Sequence, residues 1–310
     1  MPASAWRHSL LIGAVSGVLL AVLATGAALL LRADEPPAGK ERIALSCAPS
    51  IPPARETGTL RIHAVDTELP PDLRDELLIG AGTALALWRE WLDEQTLAPA
   101  PATLLFLADA QDFAVLYDGP DVDGWTATGF YRIRSHEAVI LYAEPWRHAA
   151  RATAFHELSH LMTAWYLGPT PAWLNEGLAE HFETFTPGRT PAFGAYRGHL
   201  AVLAREGPLP LATLLGLSRR QFTIEEAARR YASAWSLIAF MLDDAQARVV
   251  LDTLLRGFYA GRCSGTDAQA LQDRALARFP GGVEALDAAW RDWLGDTIRT
   301  GGQRGPGRAM

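Results

Sequence analysis

Lysine is almost missing from this chain: of its 310 residues only Lys40 is a lysine, and although arginine brings the basic total to 28 against 35 acids, the basic residues nowhere form a block. With a formal net charge of -7 and no such block, the sequence lacks the electrostatic footprint of a nucleic-acid binder. Cysteine is scarce too. Cys47 and Cys263 are the only two, far apart and neither in a C-x-x-C pair, which excludes a cysteine-built zinc finger and a dithiol redox motif and leaves open whether the two pair in space. No internal repeat is present, so a solenoid is excluded as well.

Charge of either sign is absent from Ser9 to Leu31, a stretch rich in Leu, Val and Ala and long enough to cross a bilayer as a helix. It is longer than the apolar region of a typical cleaved signal, which favours an uncleaved anchor, although Ala24-Thr25-Gly26-Ala27 offers small residues to a signal peptidase. A lone amino-terminal span usually exports the domain behind it. The expectation is therefore a single-pass membrane protein over 1–32 with its large domain outside the cytoplasm, or a secreted one if the segment is cleaved. Residues 33–57 carry Pro36, Pro37, Pro49, Pro52 and Pro53 and read as a linker, 58–299 as one catalytic-size domain, and 300–310 as a disordered tail.

What is present is a compact cluster of metal-type side chains. His156-Glu157-Leu158-Ser159-His160 places two imidazoles at i and i+4, one turn apart on one helical face, so both can point at a single cation. Glu157 lies along the side of that face, where a general base can reach a metal-activated water without being a ligand. A catalytic zinc takes three protein ligands and keeps an open position. Glu176 is the natural third, because it follows a Gly168-Pro169-Thr170-Pro171 turn that folds a second helix back on the first. Glu180 shares the face of Glu176 one turn later.

With Trp173-Leu174-Asn175-Glu176-Gly177, the H-E-x-x-H string resembles the gluzincin metallopeptidases, of both the thermolysin and the aminopeptidase N types. The stretch from about 125 to 295 resembles the short bacterial gluzincin-like families in particular. The resemblance implies zinc held by His156, His160 and Glu176, with Glu157 as base. It also implies outer support from Glu180, at the position of the acid that orients the first histidine, and from Asn175. Tyr231, in Tyr231-Ala232-Ser233-Ala234-Trp235, matches the segment where aminopeptidase-type enzymes carry an oxyanion donor. The Gly-Ala-Met-Glu-Asn string that holds a free amino terminus is missing, so the implied activity is that of an endopeptidase on peptide or protein substrates. The competing expectation is a catalytically silent gluzincin-fold module that binds or assembles at the membrane.

Periodicity supplies the frame. Thr59 to Val65 alternates as a half-buried strand, Pro71 to Gln95 carries an apolar helical stripe, and Ala102 to Ala108 is a short apolar strand. Asp118 to Gly124 is a turn-rich loop without EF-hand spacing, which argues against calcium. Thr126 to Arg134 and Glu137 to Tyr142 form a hairpin, and the gluzincin resemblance implies that Ala138 to Tyr142, just ahead of the metal helix, offers its edge to an extended substrate. Helices are expected near 195–205, 224–243, 246–259, 266–278 and 282–299. The fold class is thus α+β: a small mixed sheet, a zinc-binding helix pair, a mainly helical second half and one amino-terminal transmembrane helix. His136, His148, His181 and His199 read as surface or packing residues, and Trp165, Trp173, Trp235, Trp290 and Trp293 as core.

Overall fold

A computed structural model describes Cys47 and residues 60–301, except 118–123, 126–127, 190–192 and 224–225. The expected membrane segment, the linker apart from Cys47 and most of the tail lie outside these residues. Among the described residues no helix is long and apolar enough to cross a membrane.

The fold is mixed α+β. Strand β1 (Leu60–Val65), helix α1 (Pro71–Leu92), β2 (Ala102–Leu107), α2 (Ala110–Tyr117), β3 (Gly124–Trp125), β4 (Gly129–Arg132) and β5 (Glu137–Leu141) make up the first half. They build a five-stranded sheet in the order β1-β2-β5-β4-β3, parallel from β1 to β5 and antiparallel from β5 to β3. The β4–β5 hairpin closes through a turn in which His136 takes a positive φ of 56°. Alternation along β5 serves two cores: Ala138 and Ile140 face the main core, while Val139 and Leu141 join Leu107, Phe113 and Phe130 under α2.

β5 is an interior strand, which corrects the expectation that its edge is free for substrate. It hydrogen-bonds β2 on one side and β4 on the other, leaving β1 and β3 as the edges. The physical reason is the crossover that lays β2 parallel along the side of β5 opposite its hairpin partner.

The second half is helical: α3 (Ala150–Tyr166), α4 (Ala172–Glu183), α5 (Arg197–Glu206), α6 (Leu211–Leu215), α7 (Arg219–Thr223), α8 (Ala227–Asp243), α9 (Ala245–Gly261), α10 (Ala268–Leu276) and α11 (Gly282–Arg299). α3 is central, packing on the sheet through β4 and β5 and on α4 at its other side. Its residues from Thr153 to Thr163 are buried all round, which excludes a solvated surface helix. Gly168, at a φ of 75°, ends the helix run, and Pro171 caps α4 at φ -54°, so the expected turn brings α4 back alongside α3. α4 then lies close against α8. A Cβ on Gly177 would sit 2.8 Å from the Ala234 carbonyl oxygen and 2.8 Å from Ile238 Cγ1, so only glycine permits this approach beside Glu176. Trp173, Trp235 and Trp290 are buried and Trp165 and Trp293 partly so. Cys47 and Cys263 form a disulfide with Cα atoms 5.2 Å apart, tying the chain ahead of β1 to the segment that follows α9.

Candidate metal centre

The i, i+4 spacing on α3 brings the two histidine rings together, His156 Nε2 lying 3.1 Å from His160 Nε2. From α4, Glu176 Oε2 approaches to 3.9 Å from His156 Nε2 and 3.6 Å from His160 Nε2. A circle through three atoms with separations of 3.1, 3.6 and 3.9 Å has a radius of about 2.1 Å, the bond length that imidazole nitrogen and carboxylate oxygen make to a first-row divalent metal. These three side chains can therefore hold a metal ion, and both histidines are buried, being 1% and 3% exposed.

The outer contacts set which nitrogen faces inward. His156 Nδ1 lies 2.9 Å from Glu183 Oε1, so its N–H donates there and Nε2 is the nitrogen turned towards a cation, which would displace the proton it carries. Glu183 in turn accepts from the Tyr196 hydroxyl at 2.7 Å. Glu180, expected to orient His156, stands 3.8 Å from Nδ1 and spends its other oxygen on His199 Nε2 at 2.6 Å. The direct partner of His156 is thus Glu183, and His199, read from sequence as a packing residue, belongs to the same network, its ring 3.8 Å from that of Tyr196. His156, Glu180 and Glu183 form a second group able to hold a metal. The first group is the better candidate, because three of the four carboxylate oxygens of the second are already engaged by His199, Tyr196 and the imidazole itself.

Burial dominates the electrostatics. Desolvation alone would keep the His156 imidazole neutral, but the Glu183 hydrogen bond and the charges of Glu157, Glu183 and Glu180 outweigh it and hold its pKa up at about 10. Burial raises Glu157 to about 8 and Glu176 to about 7, and raises Glu180 with help from Glu183. Glu183 resists its own burial through His156 and is held below the ordinary carboxylate value. His160 is pushed well below its usual value by burial, by the His156 charge and by Arg219. Its Nδ1 makes no hydrogen bond, although the Asn175 side chain is near enough to favour the protonated ring.

Glu157 is fully buried and neither of its carboxylate oxygens has a hydrogen-bond partner. An unpaired buried carboxyl is expensive and marks a group aimed at something it must meet. Gly129 on β4 makes room for it: a Cβ there would lie 2.8 Å from Glu157 Oε1 and clash with Thr153 Cγ2. No family model matches this chain, and no curated protein is significantly similar to it.

Three further side chains complete the surroundings. Tyr231, on the second turn of α8, packs its ring 5.3 Å from Phe222, and its hydroxyl is near enough to Glu176, Glu180 and Glu157 that, after burial, their charges raise its pKa further. That hydroxyl makes no hydrogen bond to a described residue, so it is placed by the fold at the site yet uncommitted. Tyr131 on β4 stacks on His160, with centroids 4.5 Å apart and planes at 27°. The Arg219 guanidinium donates from Nη1 to the Tyr131 hydroxyl oxygen at 3.0 Å. Sequence reasoning missed Glu183, Tyr131 and Arg219. Only Glu183 left a signal, seven positions after Glu176 on the same helical face.

Proposed function

We propose that this protein is a zinc endopeptidase of the gluzincin type, held at the membrane by its amino-terminal segment with the catalytic domain outside the cytoplasm. The observation that carries the reading is Glu157: a fully buried carboxyl with no hydrogen-bond partner, one residue from a histidine pair whose Nε2 atoms converge with Glu176 Oε2. Two imidazoles and one carboxylate are the donor set of a catalytic zinc with an open position, and the separations fit its bond lengths.

His156, His160 and Glu176 would hold the zinc, which would supply Lewis acidity for the scissile carbonyl and for the attacking water. Glu157 accepts the proton of the attacking water and hands it to the departing amine. Its buried oxygens, which no hydrogen bond within the fold engages, leave it able to take up and release that proton. Glu183 fixes the His156 tautomer, and Tyr196 fixes Glu183. Tyr231 is the donor for the oxyanion, its hydroxyl being uncommitted beside the ligands. The Cys47–Cys263 disulfide supports an oxidising compartment.

The test is Glu157→Gln in the full-length chain purified in detergent, with a peptide-library digest and a metal assay run on both proteins. About one zinc per chain is expected in each, with hydrolysis reduced at least a thousandfold in the variant. Undiminished hydrolysis by Glu157→Gln refutes the mechanism, and a wild-type chain that binds zinc yet cleaves nothing favours the silent binding module.

A further inference from the structure

The two imidazoles of the metal centre are held in different ways. His156 is tethered at Nδ1 by the Glu183 carboxylate, the arrangement most metal-binding histidines use, in which the nitrogen away from the metal donates to a carboxylate, a carbonyl or water. His160 has no such tether. Its Nδ1 is buried and makes no hydrogen bond to any described residue, Asn175 approaching the ring without closing one. An imidazole that lacks this bond turns about its Cβ–Cγ axis unless something else stops it, and a ligand that turns carries its lone pair off the metal.

Packing stops it. The phenol of Tyr131 lies along one face of the His160 ring, with centroids 4.5 Å apart and planes at 27°, while the His156 ring meets it nearly edge-on at 4.8 Å and 76°. Rotation of the imidazole would drive its edge into the phenol. The phenol is itself fixed at both ends. Its backbone lies on β4, paired with Ala138 of β5 on one side and Gly124 of β3 on the other, and its side chain is 2% exposed and part of the main core. At the far end its hydroxyl accepts from Arg219 Nη1 at 3.0 Å. α7, which carries Arg219, is anchored in turn by Phe222, 1% exposed and packed against Tyr231.

We propose that Tyr131 is the positioning residue of His160: its ring, locked through its hydroxyl by Arg219, takes the place of the hydrogen bond that Glu183 gives to His156. This inference rests on the metal-binding part of the reading above and not on the reaction that follows. One imidazole is thus set by an acid on α4 and the other by an aromatic ring on the sheet. β4 then meets the site at two nearby points, Gly129 beside Glu157 and Tyr131 beside His160.

The experiment compares the full-length wild-type chain in detergent with Tyr131→Leu, Tyr131→Phe and Phe130→Leu. Phe130 is the matched control: it neighbours Tyr131 on β4, is fully buried and faces the other core, so its replacement costs packing without touching the His160 ring. Two quantities are read, zinc affinity by competition with a chelator and the imidazole signals of the zinc-loaded chain in proton–nitrogen correlation spectra with isotope-labelled histidine. Tyr131→Leu binds zinc about tenfold or more weakly, and the His160 signals broaden while those of His156 stay sharp. Tyr131→Phe, which keeps the stack and gives up the Arg219 lock, loses about threefold. Phe130→Leu lowers the melting temperature of the metal-free protein and leaves zinc affinity within about twofold of wild type. Wild-type affinity in Tyr131→Leu, or in Tyr131→Phe should the leucine variant not fold, overturns the proposal. So does an equal loss of affinity in Phe130→Leu, or broadening that takes His156 and spares His160. Zinc held by the wild type without this pattern in the variants removes this inference alone, and a wild type that takes up no zinc removes the metal reading with it. The same pattern in a chain that cleaves no peptide removes the peptidase reading and leaves this one standing.

Discussion

Replacing Glu183 by glutamine isolates what the buried acid does for His156. The glutamine carbonyl can still accept from Nδ1, and its amide can face the Tyr196 hydroxyl, which rotates to accept, so the packing is kept and only the charge is lost. The 2.9 Å contact then changes from a charge-assisted hydrogen bond to a neutral one. Charge-assisted bonds contribute about 1.5–3 kcal/mol against about 1 for neutral ones, so about 1.4 kcal/mol of ligand basicity and orientation disappears, or about tenfold in zinc affinity. Glu180→Gln is the matched control. Its carboxylate is 3.8 Å from Nδ1 and is hydrogen-bonded to His199 instead, so its removal should cost less than about threefold. Competition against a chromophoric zinc chelator, at one pH and with the full-length chain, reads both. Unchanged affinity in Glu183→Gln, or a larger loss in Glu180→Gln, would show that the outer network has been assigned to the wrong acid.

Gly129→Ala brings a methyl group against Glu157 Oε1 and Thr153 Cγ2, so peptide hydrolysis should drop about tenfold or more with zinc retained; full activity in a steady-state assay refutes the idea that this glycine makes room for the base. Metal-free protein should lose stability as pH rises from 7 to 9. His156 and Glu157 keep protons in the fold up to about 10 and about 8 that the unfolded chain has already released, so their contribution is lost as pH passes those values. Thermal melts should show the apo melting temperature falling across this window, and zinc, which displaces the His156 proton, should raise it most at the upper end; a flat apo profile contradicts the assignment. Reducing Cys47–Cys263, or changing Cys47 to Ser, opens a loop of 216 residues and should cost about 3 kcal/mol, or about 10 °C in melting temperature by calorimetry. No shift would mean that the bridge restrains little.

The fold was legible where one element's own period decides it. The apolar stripe of α1, the β4–β5 hairpin and the helices from α8 onward lie close to where their spacing puts them, because each buries one face against a neighbour. Sequence is blind to how elements meet. It treated β5 as an edge, since nothing in Glu137–Leu141 states that β2 pairs with its far side. The site divides along the same line. His156, Glu157 and His160 are one turn apart on α3, and Glu176 follows a turn written in Gly168 and Pro171, so their convergence is a matter of local geometry. Glu180 and Glu183 both follow Glu176 on one face of α4, and only the packing of α3 on α4 decides which carboxylate meets Nδ1 at 2.9 Å. Tyr131 and Arg219 are brought together by tertiary structure across 88 positions, and no spacing rule reaches that far.

The disulfide also sets a mechanical path through the molecule. β1 is an edge strand in parallel register with β2, and a pull along the chain directly ahead of Leu60 would strain its hydrogen bonds with β2 and threaten the sheet that supports the Glu157 side of the site. Tension drawn through the segment ahead of Cys47 instead enters at the sulfur bridge and passes to Cys263, beyond the end of α9, a helix whose Val250, Leu251, Leu254, Leu255 and Phe258 are rooted in the main core. A covalent bond and a packed helix thus share a load that the hydrogen bonds of an edge strand would otherwise meet alone.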